Sequence, residues 1–123
     1  MSLCFAVYKC AVSPTGDKLY IINSLQHKLL TLARNGTRLA TYTDPDREGP
    51  SCVHVTPAGQ VLVCGYLSHT ILHVDSEGRR KLATLSTGRY EVWCPESICY
   101  CSPSSCIIVG QRASNYILVY KVE

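Results

Sequence analysis

The chain alternates between short apolar runs and short polar segments. Runs of about five residues rich in Val, Ile, Leu, Tyr and Thr are bounded by Gly, Pro, Asn, Asp and Ser, and no convincing helical pattern occurs. Such runs favour β-strands joined by tight turns. The pattern predicts strands near residues 8–12, 18–23, 28–33, 37–42, 51–55, 60–64, 70–74, 80–85, 96–101, 106–110 and 116–121.

These runs belong to a repeated unit. Residues 12–16 (VSPTG) recur as 55–59 (VTPAG), and 38–42 (RLATY) recur as 81–85 (KLATL), both at an offset of 43 residues. His27 and Gly36 match His69 and Gly78 at an offset of 42, and residues 65–74 align more loosely with 110–120. Four antiparallel strands in a unit of this length are typical of one β-propeller blade.

We therefore predict an all-β fold, a β-propeller segment of about three four-stranded blades at residues 7–49, 50–94 and 95–123. Both faces of a blade pack on neighbours, and residues 19–22 and 61–64 are apolar enough for that role. A solenoid of stacked strands would also repeat, but with shorter units and fewer hairpins. Because closed propellers have about four to eight blades, we expect further blades from an N-terminal region or a second copy.

The second unit carries the most specific signal. Residues 49–65 (GPSCVHVTPAGQVLVCG), followed by 70–78 (TILHVDSEG), resemble an NHL repeat, and the resemblance extends over nearly the whole chain. It implies half of a six-bladed NHL/TolB-like propeller, similar to those that end tripartite-motif (TRIM) proteins. In that family the propeller binds protein or RNA while a separate RING domain transfers ubiquitin. WD-type propellers are the alternative, although the sequence has no Gly-His or Trp-Asp pair.

Composition narrows the class of protein only a little. The 123 residues are 46% hydrophobic and 17% charged with a net charge of +3, as in an ordinary globular domain. This mildly basic balance neither demands nor excludes nucleic acid. Residues 1–12 include Lys9 and no sustained apolar stretch, so we expect a cytoplasmic protein without a signal peptide or membrane contact.

Eight cysteines are too few for a disulfide scaffold of this length, and most lie in apolar runs. We interpret them as reduced, buried, small apolar side chains. A zinc site could be suggested for the cluster of Cys94, Cys99, Cys101 and Cys106, but its spacings are not those of zinc knuckles. The sequence therefore predicts no metal and no cofactor.

Catalytic chemistry would require converging acids or histidines on the innermost strands. Those strands offer only His54 and Glu96, which could be remnants of a metal site such as lactonase-like propellers hold, with no acidic or amide partner on the inner strand of the first blade. We predict that the protein is not an enzyme. His27 and His69, which precede equivalent strands, are interpreted as structural.

Basic and aromatic residues in or near loops are the candidates for partner binding. They are Lys9, Arg47, Tyr66, Arg89, Tyr90, Trp93, Arg112 and Tyr116. Such side chains suit a protein partner, and single-stranded RNA is the alternative. By contrast, the run at residues 79–81 (RRK) is interpreted as a solvated hairpin, and residues 35–37 (NGT) as a turn rather than a glycosylation site.

Overall fold

A computed structural model describes residues 9–23, 27–43, 50–65, 70–86, 95–101, 106–111 and 117–121. Within them the secondary structure is all β, with no helix and hence none that could cross a membrane. The strands are β1 (Lys9–Val12), β2 (Lys18–Asn23), β3 (Lys28–Ala33), β4 (Arg38–Thr43), β5 (Pro50–Val55), β6 (Val61–Gly65), β7 (Thr70–Val74), β8 (Lys81–Ser86), β9 (Pro95–Cys101), β10 (Cys106–Gln111) and β11 (Ile117–Lys121).

The strands form three antiparallel sheets, each built from consecutive strands. The first contains β1 to β4, the second β5 to β8 and the third β9 to β11, always in chain order. The predicted strands are confirmed, and their ends differ from the observed ones by no more than one residue. The turn residues between the apolar runs were sufficient to locate the strands, because each strand pairs with the strand before or after it in the chain.

The repeated VSPTG and VTPAG segments form the same hairpin turn. The Gly16 N–H donates to the Ser13 carbonyl over 2.9 Å, and the Gly59 N–H donates to the Thr56 carbonyl over 2.8 Å. Both glycines have positive φ, 76° and 85°, a region that costs other residues energy. The sequence repeat is therefore a repeat of turn geometry.

One-residue differences between the hairpins explain why the offset changes between 43 and 42. Ser13 pairs with Lys18, five residues on, whereas Thr56 pairs with Gln60, four residues on, so the first sheet contains one extra residue. The last hairpin of the second sheet is in turn one residue longer than that of the first, because the Asp75 N–H donates to the carbonyl of Arg80, five residues on. The offset therefore returns to 43 after this hairpin. The extra residue in the first hairpin is Asp17 at the position before Lys18.

Apolar side chains between neighbouring sheets form the core. The larger cluster joins the first and second sheets through Tyr20, Ile22, Leu29, Val53, Val61, Val63, Leu72 and Val74. The second cluster joins the second and third sheets through Leu62, Ile71, Ile107 and Val109, with Ile98 and Tyr100 against it. Full burial of each such aliphatic side chain stabilises the fold by about 1.5–3 kcal/mol.

Alternation along the second sheet places the two clusters on its opposite faces. In β6, Val61 and Val63 pack toward the first sheet, and Leu62 packs toward the third. In addition, β5 contacts both β1 and β9, whereas β8 at the other side of the sheet is exposed along residues 81–84. The sheets therefore stand side by side with β1, β5 and β9 innermost, as the blades of a propeller do.

A close approach between sheets occurs at Gly78, in the hairpin between β7 and β8. Gly78 has a φ of 73°, and a Cβ added there would overlap Oγ1 of Thr31 in β3. Gly59 also has a positive φ, but a Cβ at that position would meet no atom within 4 Å. A substitution at Gly59 would therefore meet backbone strain alone, whereas a substitution at Gly78 would also meet steric overlap between the sheets.

We predict that Gly78→Ala destabilises the protein more than Gly59→Ala. Gly59→Ala should lower the free energy of unfolding by about 1–2 kcal/mol, because the left-handed backbone conformation is the only unfavourable feature of alanine at this position. Gly78→Ala should cost about 1–3 kcal/mol more, because the overlap with Thr31 forces the sheets apart. Urea unfolding of both variants measures the difference, and equal losses would contradict the close approach.

Candidate functional site

A groove of about 330 Å³ opens between hairpins of the first and second sheets. Its first wall is the turn between β1 and β2, and its second wall consists of the turns after β5 and β7. The polar and aromatic lining residues used below are Ser13, Thr15, Asp17, Lys18, Tyr20 and Ser76. A second cavity between the same sheets, lined by Leu29, Tyr42 and Val63 among others, has a volume of about 20 Å³, which is room for little more than one water.

Asp17 supplies the groove with a fixed negative charge. Its Oδ1 accepts hydrogen bonds from Thr15 Oγ1 and from Ser13 Oγ, the latter over 2.7 Å. These bonds from Thr15 and Ser13 lower the pKa of the Asp17 carboxyl, because they favour its charged form. The carboxylate is exposed and oriented, so it can accept hydrogen bonds from a ligand at neutral pH.

Tyr20 ties the floor of the groove to the second sheet. Its hydroxyl donates to the Ser76 carbonyl over 2.6 Å, and the Lys18 ammonium approaches the same carbonyl at 3.4 Å. Burial raises the pKa of Tyr20, and the charges of Asp17 and Asp75 add to this shift. The hydroxyl therefore remains protonated and bridges the two sheets.

A different set of groups lies on β5 and β6, the two inner strands of the second blade. Cys52 of β5 and Cys64 of β6 are directly opposite residues of the antiparallel pair, and both are buried. A hydrogen bond from Cys64, a backbone N–H bond from Ile98 and the charge of Lys9 lower the pKa of Cys52 to about 7. The same pairing and burial raise the pKa of Cys64.

His54 lies two residues after Cys52 on the same strand. Its Nε2 is buried and has no hydrogen-bond partner among the residues that the structure describes. Desolvation lowers the pKa of this imidazole, because burial disfavours the charged form. His54 is thus a neutral side chain at neutral pH.

Of the eight residues predicted to bind a partner, only Lys9 lies in the part of the chain that the structure describes. It is partly buried at the start of β1, an innermost strand, rather than in a loop, and it acts electrostatically on Cys52. The others fall outside the described residues: Arg47, Tyr66, Arg89, Tyr90, Trp93, Arg112 and Tyr116. Glu96, the other candidate of the innermost strands, is the second residue of β9.

The prediction that the cysteines are buried is correct for Cys52 and Cys64 and wrong for the other four cysteines of the described residues, while Cys4 and Cys94 lie outside those residues. All six cysteines in the described ranges are reduced, but Cys10 and Cys99 are exposed, and Cys101 and Cys106 are half-buried. Cys10 and Cys99 alternate with residues that pack toward the second sheet, so they point the other way. Within the part of the chain described, no three or more His, Cys, Asp or Glu side chains could hold a metal.

The predicted hairpin turns are present. Gly36 has a φ of 91°, and Asn35 Oδ1 accepts a hydrogen bond from the Thr37 N–H over 3.0 Å. In the charged hairpin, Arg79 pairs with exposed Glu77 at 3.2 Å, which fits a solvated edge. His27 adopts a positive φ of 56° in the turn before β3, while His69 lies outside the described residues.

Comparisons of the fold identify its class. A protein from Bacteroides uniformis that is proposed to be a 6-phosphogluconolactonase superposes with a TM-score of 0.71 and 21% identity, over 93% of this chain and 35% of its own. Hydrazine synthase of Kuenenia stuttgartiensis gives a TM-score of 0.79 and 20% identity, over 98% and 34% of the two chains. An inactive virginiamycin B lyase variant from Staphylococcus aureus gives 0.64 and 16%, over 94% and 41%.

At these identities the likeness concerns the fold alone. The chain spans between a third and about two fifths of the length of these similar structures. The sequence matches no family profile and no curated protein. Together with the side-by-side sheets of consecutive antiparallel strands, the likeness defines the fold as a segment of a β-propeller.

Sequence reasoning missed both the groove and the cysteine pair. The signal for the groove was the extra residue Asp17, which follows Ser13 and Thr15 in the repeated turn. The signal for the pair was register: a turn at residues 56–60 makes Cys52 and Cys64 opposite each other. Both features depend on the exact number of residues in a turn, which sets the register of the strands on either side.

We predict that the protein loses stability on mild acidification because of His54. The folded-state pKa of His54 is lowered, so the unfolded chain binds the proton more readily and acid favours unfolding. The free energy of unfolding should therefore fall as the pH drops from about 7.5 to about 5.5, through the ordinary histidine pKa of about 6.5. Urea unfolding at several pH values measures this slope.

The His54→Gln variant should reduce that slope, because its side chain does not titrate. His73→Gln, which removes a partly exposed histidine from β7, controls for the loss of an imidazole. An unchanged slope in His54→Gln would contradict the assignment to His54.

Proposed function

We propose that this propeller segment is a noncatalytic binding module that recognises a protein partner through the groove between its first two blades. The observation that carries the proposal is the groove itself, about 330 Å³ in volume and built from hairpins of two blades. Hairpin loops on a rigid scaffold are the usual place for recognition, since their side chains are exposed and their backbones are fixed.

The chemistry of the groove favours a peptide with a basic residue. Asp17 is an oriented, exposed carboxylate, and Pro57 and Ala58 provide an apolar opposite wall. An arginine or lysine of the partner would pair with Asp17 while its apolar stem lies against this wall. Single-stranded RNA is the alternative ligand, since Lys18 of the same groove could pair with its phosphates.

The resemblance of residues 49–65 to NHL repeats supports a narrower proposal. The module would be the substrate-recognition part of a TRIM-type ubiquitin ligase in the cytoplasm, with catalysis performed by a separate domain. This assignment rests on the sequence resemblance alone.

Selection of displayed peptides tests recognition by the groove. We predict that peptides selected on the protein contain a basic residue and lose roughly tenfold in affinity for Asp17→Asn, because one charge-assisted hydrogen bond is weakened. The amide introduced by this substitution keeps an oxygen that can accept from Ser13 and Thr15. Glu77→Gln, which removes an exposed carboxylate that does not line the groove, is the matched control.

Three outcomes would contradict the proposal. Equal losses in Asp17→Asn and Glu77→Gln would mean that the groove does not bind these peptides. Metal-dependent hydrolysis of 6-phosphogluconolactone that is abolished by His54→Ala would replace a binding module with an enzyme. Saturable binding of a single-stranded oligonucleotide, measured by fluorescence anisotropy and unaffected by Asp17→Asn, would favour the RNA alternative.

We also propose that the outer faces of the first and third sheets are covered by further blades. Val12 is 53% exposed and Val119 is 59% exposed, each on the face of its sheet that points away from the second sheet. Apolar area left in water costs about 25 cal/mol per Å², so a second copy or additional blades would stabilise these faces.

The expected result is self-association that weakens when Val119 is replaced. Light scattering over a dilution series should give a mass above that of one chain, and Val119→Lys should shift it toward the monomer. Leu82→Lys is the control, since Leu82 is 49% exposed on the outermost strand of the second sheet. A monomer at micromolar concentration with cooperative unfolding would contradict association between copies.

A further inference from the structure

We propose that Cys52 and Cys64 form a redox-active dithiol that is oxidised by hydrogen peroxide to a cross-strand disulfide. This inference is independent of the recognition groove and of any binding partner. It assigns a covalent modification site to β5 and β6, the two inner strands of the second blade.

The geometry of the pair carries the inference. Cys52 and Cys64 are directly opposite each other in the antiparallel pair of β5 and β6, and both side chains are buried. Opposite residues of antiparallel strands have Cβ atoms about 4.5–5.5 Å apart, slightly more than the separation in a disulfide. Bond formation therefore requires a small local adjustment and no rearrangement of the fold.

The surroundings assign different roles to the two thiols. The Cys64 thiol, the Ile98 N–H and the charge of Lys9 lower the pKa of Cys52, which favours a thiolate there. Cys64 is completely buried and stays protonated until it reacts. Cys52 is thus the attacking sulfur, and Cys64 is the resolving one.

Burial determines the class of oxidant. Cys52 is 7% exposed and Cys64 is 0% exposed, so a bulky disulfide such as oxidised glutathione has little access to either sulfur. Hydrogen peroxide is close to water in size, and it oxidises thiolates directly. Cys52 is the more exposed of the two thiols, and it lies beside β9 at the junction of two blades.

The reaction balances in two steps. The Cys52 thiolate attacks one peroxide oxygen, the O–O bond breaks, and Cys52 becomes a sulfenic acid while the leaving hydroxide takes up a proton to form water. The Cys64 sulfur then attacks the Cys52 sulfur, the S–O bond breaks, and the Cys64 proton leaves with the hydroxyl as water. Overall, two thiols lose two electrons and two protons, and hydrogen peroxide is reduced to two waters.

Tryptic mapping of the unmodified sequence tests the proposal. Cleavage after Arg47 and Arg79 releases peptide 48–79, whose only cysteines are Cys52 and Cys64. After brief peroxide treatment of the folded protein and alkylation of the remaining thiols, this peptide should lack two hydrogens and carry no alkyl group. Incubation with dithiothreitol should restore both thiols.

Variants separate the two roles. In Cys64→Ala, Cys52 should accumulate as a sulfenic acid that dimedone traps, and in Cys52→Ala, the oxidation of Cys64 should slow by about tenfold or more. Cys10→Ala, which removes an exposed thiol from β1, should leave disulfide formation unchanged.

Two results would overturn the proposal. One is a fully alkylated peptide 48–79 under conditions in which the exposed Cys10 is oxidised. The other is oxygen addition to Cys52 in the unmodified protein without loss of two hydrogens, because a resolving thiol in contact would have formed the disulfide first. Both are measured without any substitution, so they do not depend on the stability of a variant.

Discussion

The packing of the second sheet between its two neighbours is the interaction on which the rest of the structure depends. Its strands are apolar on both faces, with Val61 and Val63 against the first sheet and Leu62 against the third. A sheet of this kind is not stable alone in water, since each exposed face would leave several aliphatic side chains solvated. The three blades therefore pack side by side, because the second sheet requires a neighbouring sheet on each face.

This packing also brings separate hairpins together to make the groove. The turn after β1 belongs to one blade and the turn after β7 to the next, and the hydroxyl of Tyr20 bridges them at Ser76. The extra residue Asp17 would be an ordinary exposed carboxylate in an isolated hairpin. Beside the second blade, it becomes one wall of a cleft with an apolar opposite side.

The innermost strands combine chemistry from all three blades. Lys9 comes from β1, Cys52 from β5, and the N–H of Ile98 from β9. None of these groups is unusual by itself, and their effect on the Cys52 thiol depends on convergence near the centre of the propeller. The groove and the cysteine pair are therefore distinct products of the same radial arrangement, one between outer turns and the other on inner strands.

The sequence by itself determined the strands, their turns and the repeat. These features depend on local chemistry: Gly16 and Gly59 supply positive φ at equivalent turns, and tight turns of this kind pair the apolar runs on either side of them. It also predicted that blades pack face to face, since residues 61–64 have no polar side for solvent.

Only the tertiary structure decided which side chains share a site. Lys9 belongs with Cys52 rather than with a loop, and Cys99 is exposed although it lies in an apolar run, because each depends on which face of a strand meets a neighbouring sheet. A shift of one residue in register reverses that choice for every side chain of the strand. Composition and spacing constrain the strands, whereas register and the order of the sheets in space determine the site.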